Sequence, residues 1–201
     1  MTATRTADAQ QARLLAVPAP ALVLAAPGRV LTHRPRRPGG PGWLLGVHGG
    51  AGVSCLQRAG VELADAERAW PAVDADSAEP PPTGVVVVCR STVSGLHAAR
   101  DAAIQHASGR APAGVVLAGL VVVADAPGRL PAALRALRAT VGGTFPCRWD
   151  VPWLAEWRLA LPAGPLPAPP VVGDLARCLA RCLSRDLQVL AGTGPTEQGA
   201  F

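Results

Sequence analysis

Apolar positions along this chain fall into short blocks, and the spacing inside each block separates strands from helices. Val85-Val86-Val87-Val88-Cys89 is unbroken and β-branched, the pattern of a strand covered on both faces and hence of a parallel sheet with helices around it. Val115 to Val123 repeats that pattern and is closed by Ala124-Asp125-Ala126-Pro127-Gly128. Trp43-Leu44-Leu45-Gly46-Val47 is a third apolar run, and Cys147 to Val151 predicts a short fourth strand. Between these runs the period becomes helical. From Thr92 to Ala107, residues Val93, Leu96, Ala99, Ala103 and Ile104 share one side, with Ser91 or Thr92 as the N-cap and Gly109 as the stop. Leu130 to Thr140 predicts a helix that tolerates Pro131 in its first turn, and Trp153 to Leu159 a shorter one. The last helix is expected from Asp174 to Leu190, with Leu175, Cys178, Leu179, Cys182, Leu183 and Leu187 as its buried stripe. Strands alternating with helices imply an α/β fold built on a doubly wound, mostly parallel sheet.

The flanks read differently. Residues 1–41 are polar and then punctuated by Pro and Gly, a composition that buries too little to repay ordering. They are expected to be a flexible, disordered N-terminal arm with at most one edge strand at Ala21 to Leu24. The folded domain is expected over 42–190, with a flexible tail at 191–201. Pro71 to Gly84, rich in proline and acids, reads as a linker or surface loop. A chain of 201 residues suits one domain. The formal charge of +5 comes from 19 basic residues that are all arginine, which points to codon bias more than to a functional demand. Those arginines are scattered apart from Arg34, Arg36 and Arg37, and Tyr is absent, so direct nucleic-acid binding is not expected. Five cysteines without framework spacing fit a reduced, cytoplasmic protein. Pro18 and Pro20 interrupt the apolar stretch from Leu14 to Ala26, and no run approaches the roughly 20 residues that span a bilayer.

The candidate chemistry centres on His48-Gly49-Gly50-Ala51-Gly52-Val53-Ser54, set between the Trp43 run and a helix-like Cys55-Leu56-Gln57-Arg58. Strand, glycine turn and helix are the context of a nucleotide-phosphate cradle, in which backbone N–H groups hold phosphates, a lysine reaches the outer ones, and a following Ser or Thr binds magnesium. Gly49, Gly50, Ala51, Gly52, Val53 and Ser54 would form the cradle, with Ser54 toward the metal. The alternative is a plain tight turn with Ser54 as a cap. Val53 occupies the lysine slot, and no lysine elsewhere can fill it. Losing one charge-assisted contact forfeits about 1.5 to 3 kcal/mol, which binding can survive but phosphoryl transfer cannot readily do without. Val53→Lys is therefore expected to strengthen nucleotide binding wherever the cradle geometry persists. Arg90, at the end of a central strand, is the best-placed substitute cation, whereas Arg58 should point away. His48 can donate to a phosphate or bond to backbone. Asp125 reads either as a magnesium-side carboxylate at the carboxyl edge of the sheet or as a cap for the helix after Pro127. Trp149, Trp153 and Trp157, spaced by four, can flank a base, dock a partner or pack the core. Cys178 and Cys182 read as buried small residues rather than metal ligands.

The order of these parts resembles the MinD/ParA class of P-loop ATPases in degenerate, truncated form. The loop of that class is Lys-Gly-Gly-x-Gly-Lys-Thr; here His48 and Val53 stand at the lysine positions while Gly49, Gly50, Gly52 and Ser54 match. Val85 to Cys89 with Arg90-Ser91-Thr92 is similar to its threonine strand, Val121 to Asp125 to its base-side strand, and Trp149 to Trp153 to the loop that borders adenine through Pro152. The resemblance spans about residues 43–190. The chain is also similar to an uncharacterised actinobacterial family with the same Trp-Leu-Leu-Gly-Val-His-Gly-Gly-Ala-Gly-Val-Ser phrase, whose members lie near conjugation-like genes. The resemblance implies a catalytically inactive pseudo-P-loop protein that senses a nucleotide or anion, ATP with Mg being the first ligand to consider, or that binds a protein of a transfer or secretion apparatus. A homodimer is a further implied partner. The alternatives are an active ATPase with a non-lysine phosphate contact and a pure interaction scaffold.

Overall fold

The structure, a computed structural model, describes residues 30–37, 42–73, 76–78, 80–160, 164–168, 170, 172–179 and 181. Its strands are β1 (His33–Arg36), β2 (Trp43–Gly46), β3 (Ala64–Asp65), β4 (Trp70–Val73), β5 (Thr83–Arg90), β6 (Val115–Val123) and β7 (Arg148–Val151); its helices are α1 (Val53–Arg58), α2 (Val93–Ala107), α3 (Ala132–Gly142) and α4 (Ala155–Leu159). A further helical stretch covers 172–179.

Five strands form one sheet in the order β3-β2-β5-β6-β7, every neighbouring pair parallel. The unbroken valine run of β5 is explained by what lies on each side of it. Val85, Val87 and Cys89 pack with Leu45, Leu120 and Val122 under Leu96 and Ala99 of α2 and Val141 of α3. Val86 and Val88 pack with Leu44, Val121 and Val123 under Leu56 of α1 and with Leu175 and Leu179 of the closing helical stretch. Successive strand side chains point to opposite faces, so a strand with helices over both faces has no position where a polar residue would be solvated. Thr92 is the N-cap of α2, its Oγ1 accepting the Gly95 N–H at 3.0 Å. Pro131 sits one position outside α3 as its N-cap rather than in the first turn.

The polar-arm and linker expectations need correction at two places. Residues 33–36, assigned to the flexible arm, form β1, and Pro71–Val73, assigned to a loop, lie in β4; the two strands pair in a separate parallel ribbon. β1 exposes the side chains of His33, Arg34 and Pro35, so no apolar alternation marks it in the sequence. It is held by backbone pairing and by Leu31, which is buried and donates its N–H to Gln105 Oε1 at 3.1 Å. The same Oε1 accepts the indole N–H of fully buried Trp70 at 3.0 Å. Pro71 is tolerated because a two-stranded ribbon has free edges where a missing N–H breaks no ladder. The expected strand at Ala21 to Leu24, the end of the last helix beyond 181 and the tail 191–201 lie outside the described residues.

Topology then locates the site. From β2 the chain crosses through α1 to β3 on one side, whereas from β5 it crosses through α2 and α3 to β6 and β7 on the other. The connections diverge between β2 and β5, and in open α/β sheets the crevice above such a divide, at the strands' carboxyl ends, is where ligands bind. No helix among the described residues is long and apolar enough to cross a membrane.

Candidate functional site

The loop that leaves β2 turns back over the divide. Gly50 and Gly52 have positive φ (73° and 110°) while Ala51 between them does not, and such alternation turns successive amides toward one concave side. The φ of Gly52 favours glycine, and a Cβ there would also lie 3.2 Å from a Val123 methyl, which would have to give by a few tenths of an ångström. The amides of Gly49, Gly50, Gly52, Val53, Ser54 and Cys55 have no acceptor among the described residues. Ala51 departs from the expected cradle: its N–H donates to the His48 carbonyl at 3.3 Å. Val53 departs further. Its side chain is buried beside Leu56 and packs on Gly46, whose Cβ would come 3.1 Å from Val53 Cγ2, so the lysine slot points into the core. Val53 can offer the site only its backbone.

Arg90, at the end of β5, ties the loop to the sheet. Its Nε donates to the Gly50 carbonyl and its Nη1 to the Ala124 carbonyl, both at 2.9 Å, while its backbone N–H donates to His48 Nε2 at 3.0 Å. Nε2 therefore accepts, and the other ring nitrogen, Nδ1, donates to the Gly49 carbonyl at 2.8 Å, which defines the Nδ1–H tautomer. Both nitrogens of His48 are engaged with backbone, and none is directed at a ligand. Gly95 in the first turn of α2 completes the buttress, since a Cβ there would lie 2.4 Å from the Arg90 carbonyl oxygen and 3.0 Å from His48 Nε2.

Two open clefts flank this crest, of about 510 and 490 Å³, and share His48, Gly49, Gly50, Cys55 and Arg90. The first adds Ala51 to Ser54 of the loop, together with Arg34, Asp65, Glu67 and Arg68. The second adds Thr92, Ser94, Asp125, Pro152, Trp153, Trp157 and Arg158. Parallel strands thus bring Gly49, Gly50, Arg90, Asp125, Pro152 and Trp153 to one cleft, while Ala51, Gly52, Val53 and Ser54 line the other. Ser54 and Asp125, however, line different clefts, and the described residues hold no group of three His, Cys, Asp or Glu able to hold a metal ion. The residues present do not fit a magnesium site assembled from these two. Asp125 is exposed, with its N–H on Ser91 Oγ at 3.0 Å, and α3 has no side-chain cap, so the capping role is not taken either. Of the three tryptophans, Trp149 stands apart and packs against Gly119, while Trp153 and Trp157 both line the second cleft, Trp157 Nε1 donating to the Pro167 carbonyl at 3.0 Å and Trp153 lying under the Arg158 guanidinium at 5.0 Å. Arg58 is turned away, its Nε on the Gly164 carbonyl at 2.7 Å.

Sequence reasoning missed the wall of the first cleft. Glu67 pairs with Arg34 and with Arg36 (3.1 Å), and the Arg36 hydrogen bond and charge, then those of Arg34, hold its carboxyl below the usual glutamate range. Arg68 stands beside it over the loop. The only sequence hint was the dense Arg34 to Arg37 cluster. Behind the site, burial pushes the Cys89 thiol up to about 12, with the Asp150 charge adding to it, which makes Cys89 a packing residue rather than a nucleophile.

No curated protein and no solved structure matches the chain at a significant level. The profile of a family of unknown function, DUF6668, matches residues 41–172. That span holds every residue of both clefts except Arg34, and with about two thirds of its length matched the chain belongs to the DUF6668 family.

Proposed function

We propose that the chain is a non-catalytic, P-loop-like protein that binds a phosphate-bearing ligand, ATP or another nucleotide, at the crest between β2 and β5 and reports its occupancy to a protein partner. The observation that carries this is the set of amides of Gly49, Gly50, Gly52, Val53, Ser54 and Cys55 that have no acceptor among the described residues, on a loop held over the sheet divide by Arg90. Unpaired amides on a concave loop favour an anion, and the uncompensated guanidinium beside them adds to that preference. The absence of turnover is supported by Val53 pointing into the core and by Ser54 and Asp125 lying on different clefts. Neither arrangement supplies the positioned charge that phosphoryl transfer relies on. The resemblance to conjugation-associated relatives makes a cytoplasmic component of a transfer or secretion apparatus, or a second copy of the chain, the partner to test first.

Thermal unfolding with ATP, ADP and inorganic tripolyphosphate, each with and without Mg²⁺, tests this. At a ligand concentration of about 100 Kd the gain is about 2.7 kcal/mol, or roughly 5 to 10 °C for a chain of this size, with no phosphate released. Steady phosphate release would instead make the protein an ATPase with a non-lysine contact. No shift with any of these ligands would leave an interaction scaffold.

A further inference from the structure

Glu67 and Arg68 are consecutive non-glycine residues in the left-handed region, at φ 53° and 62°. They form the middle of a turn closed by the Ala69 N–H on the Ala66 carbonyl at 3.2 Å. A side chain makes this conformation strained, and a pair of such residues persists only where the surroundings hold it. Here the Glu67 N–H donates to Asp65 Oδ1 at 2.7 Å, and the Glu67 carboxylate is gripped by Arg34 and Arg36 of β1. The strained turn carries Arg68 over the glycine loop. Its Nη1 lies 3.8 Å from where a Gly49 Cβ would be, and it has no hydrogen-bond or ion-pair partner among the described residues. Arg90 abuts the next residue, Gly50, and its two side-chain bonds go to neutral carbonyls that leave its charge uncompensated.

Two guanidiniums against adjacent loop residues repel each other unless an anion joins them. The acids on the cleft wall pair with neither guanidinium: Asp65 makes no ion pair among the described residues, its Oδ1 accepting the turn amide, and Glu67 pairs with Arg34 and Arg36. A single phosphate satisfies one planar fork well, whereas a chain of phosphates offers oxygens to both. Building on the phosphate-ligand reading above, we propose that Arg68 is the phosphate-binding cation of this cleft, that the ligand carries a di- or triphosphate held between Arg68 and Arg90 over the Gly49–Gly50 crest, and that the β1 pairs to Glu67 position Arg68.

The test is calorimetric titration of the full chain with inorganic tripolyphosphate and, separately, inorganic phosphate. The wild type binds tripolyphosphate at least about tenfold more tightly than phosphate. Arg68→Gln weakens tripolyphosphate by about ten- to a hundredfold, as expected for one charge-assisted contact, with its melting temperature unchanged; Arg68→Lys recovers part of the loss. Arg110→Gln, which removes an equal charge from the opposite edge of the sheet, stays within about twofold of the wild type. Glu67→Gln falls between Arg68→Gln and the wild type. If Arg68→Gln binds like the wild type, or Arg110→Gln loses as much, the assignment of Arg68 is overturned while the phosphate site stands. Equal affinity for the two anions overturns the di- or triphosphate, and wild-type affinity in Glu67→Gln overturns the positioning role of β1. A wild type that binds neither anion overturns the underlying reading as well.

Discussion

Val53→Lys places a lysine where the P-loop resemblance expects one, and the placement of Val53 in the structure reverses the expected effect. Val53 is 7 % exposed, its side chain packed beside Leu56 and against Gly46 below the loop. Losing its two methyl contacts forfeits about 1.6 kcal/mol at about 0.8 kcal/mol for each buried carbon. The lysine stem can refill part of that space, but the ammonium then ends among apolar atoms without a partner, or must double back and unseat the first turn of α1. Either route raises the total to about 3 kcal/mol or more. For a chain of this length that is a fall in melting temperature of roughly 6 to 12 °C, with Val53→Ala between the variant and the wild type. Scanning calorimetry reads the stability, and titration with tripolyphosphate reads whether the new cation reaches the cleft. We expect no gain in affinity. A lysine variant that melts within about 2 °C of the wild type and binds tripolyphosphate about tenfold more tightly would show that position 53 faces the cleft, and would refute the placement of this side chain.

Further consequences can be checked independently. In Gly119→Ala the new methyl would lie 2.5 Å from the Trp149 ring and 2.8 Å from the Cys147 carbonyl oxygen, so overpacking between β6 and β7 should cost about 1 to 3 kcal/mol; an unchanged denaturant midpoint would count against that contact. Gln105→Leu leaves the buried Leu31 amide and Trp70 indole N–H without their shared acceptor, at about 1 to 3 kcal/mol each, offset in part because Gln105 Nε2 is itself unpartnered. Hydrogen exchange should quicken in β1 and β4 well before β5, and uniform acceleration would contradict this. The pairing of Glu67 contributes above its unfolded pKa of 4.5 and is lost as pH falls through its lower folded value, because Arg36 and then Arg34 favour the carboxylate. The difference in melting temperature between the wild type and Glu67→Gln should therefore shrink from pH 6 to pH 3; a gap that widens would exclude the ion pair as its source.

The legible parts of the chain are those where one local signal suffices. β5 and β6 announce themselves because a strand buried on both faces has to be apolar at every position, and α2 because Thr92 caps it where its apolar face begins. Once the sheet is parallel, its carboxyl edge follows, and with it the meeting of Gly49, Arg90, Asp125 and Pro152, which no sequence spacing displays. β3 has two residues and β4 contains Pro71, so neither has a periodicity to detect. β1 is a strand for reasons lying far away in the chain, in Gln105 and in the Trp70 to Val73 ladder. The position of Arg68 was illegible for a related reason. Two non-glycine residues in left-handed conformation have no compositional mark, and what stabilises them is a pair of arginines more than thirty positions earlier. The burial of Val53 could not be read either, since a valine in the first turn of a helix faces the core or the solvent according to how the preceding glycines orient that turn.

A P-loop lysine supplies two things at once, closure of the loop and charge toward the ligand, and on the reading proposed above this site divides them. Closure falls to Arg90, whose planar fork reaches Gly50 on one side and Ala124 on the other from the rigid end of β5. The loop is thereby held in place before any ligand arrives, which lowers the ordering cost of binding. On the same reading, charge falls to Arg68, which has no hydrogen-bond or ion-pair partner among the described residues and so is not expected to contribute to the stability of the free chain. Stability and affinity should then separate by residue. Arg90→Gln should lower both, by about 1 to 3 kcal/mol in unfolding for two lost bonds at a part-exposed site, together with weaker tripolyphosphate binding as the loop loosens. Arg68→Gln should lower affinity alone. The decisive measurement is the pair of melting temperatures without ligand: a fall in Arg68→Gln equal to that in Arg90→Gln would mean that both arginines tie the loop down and that neither is reserved for the ligand.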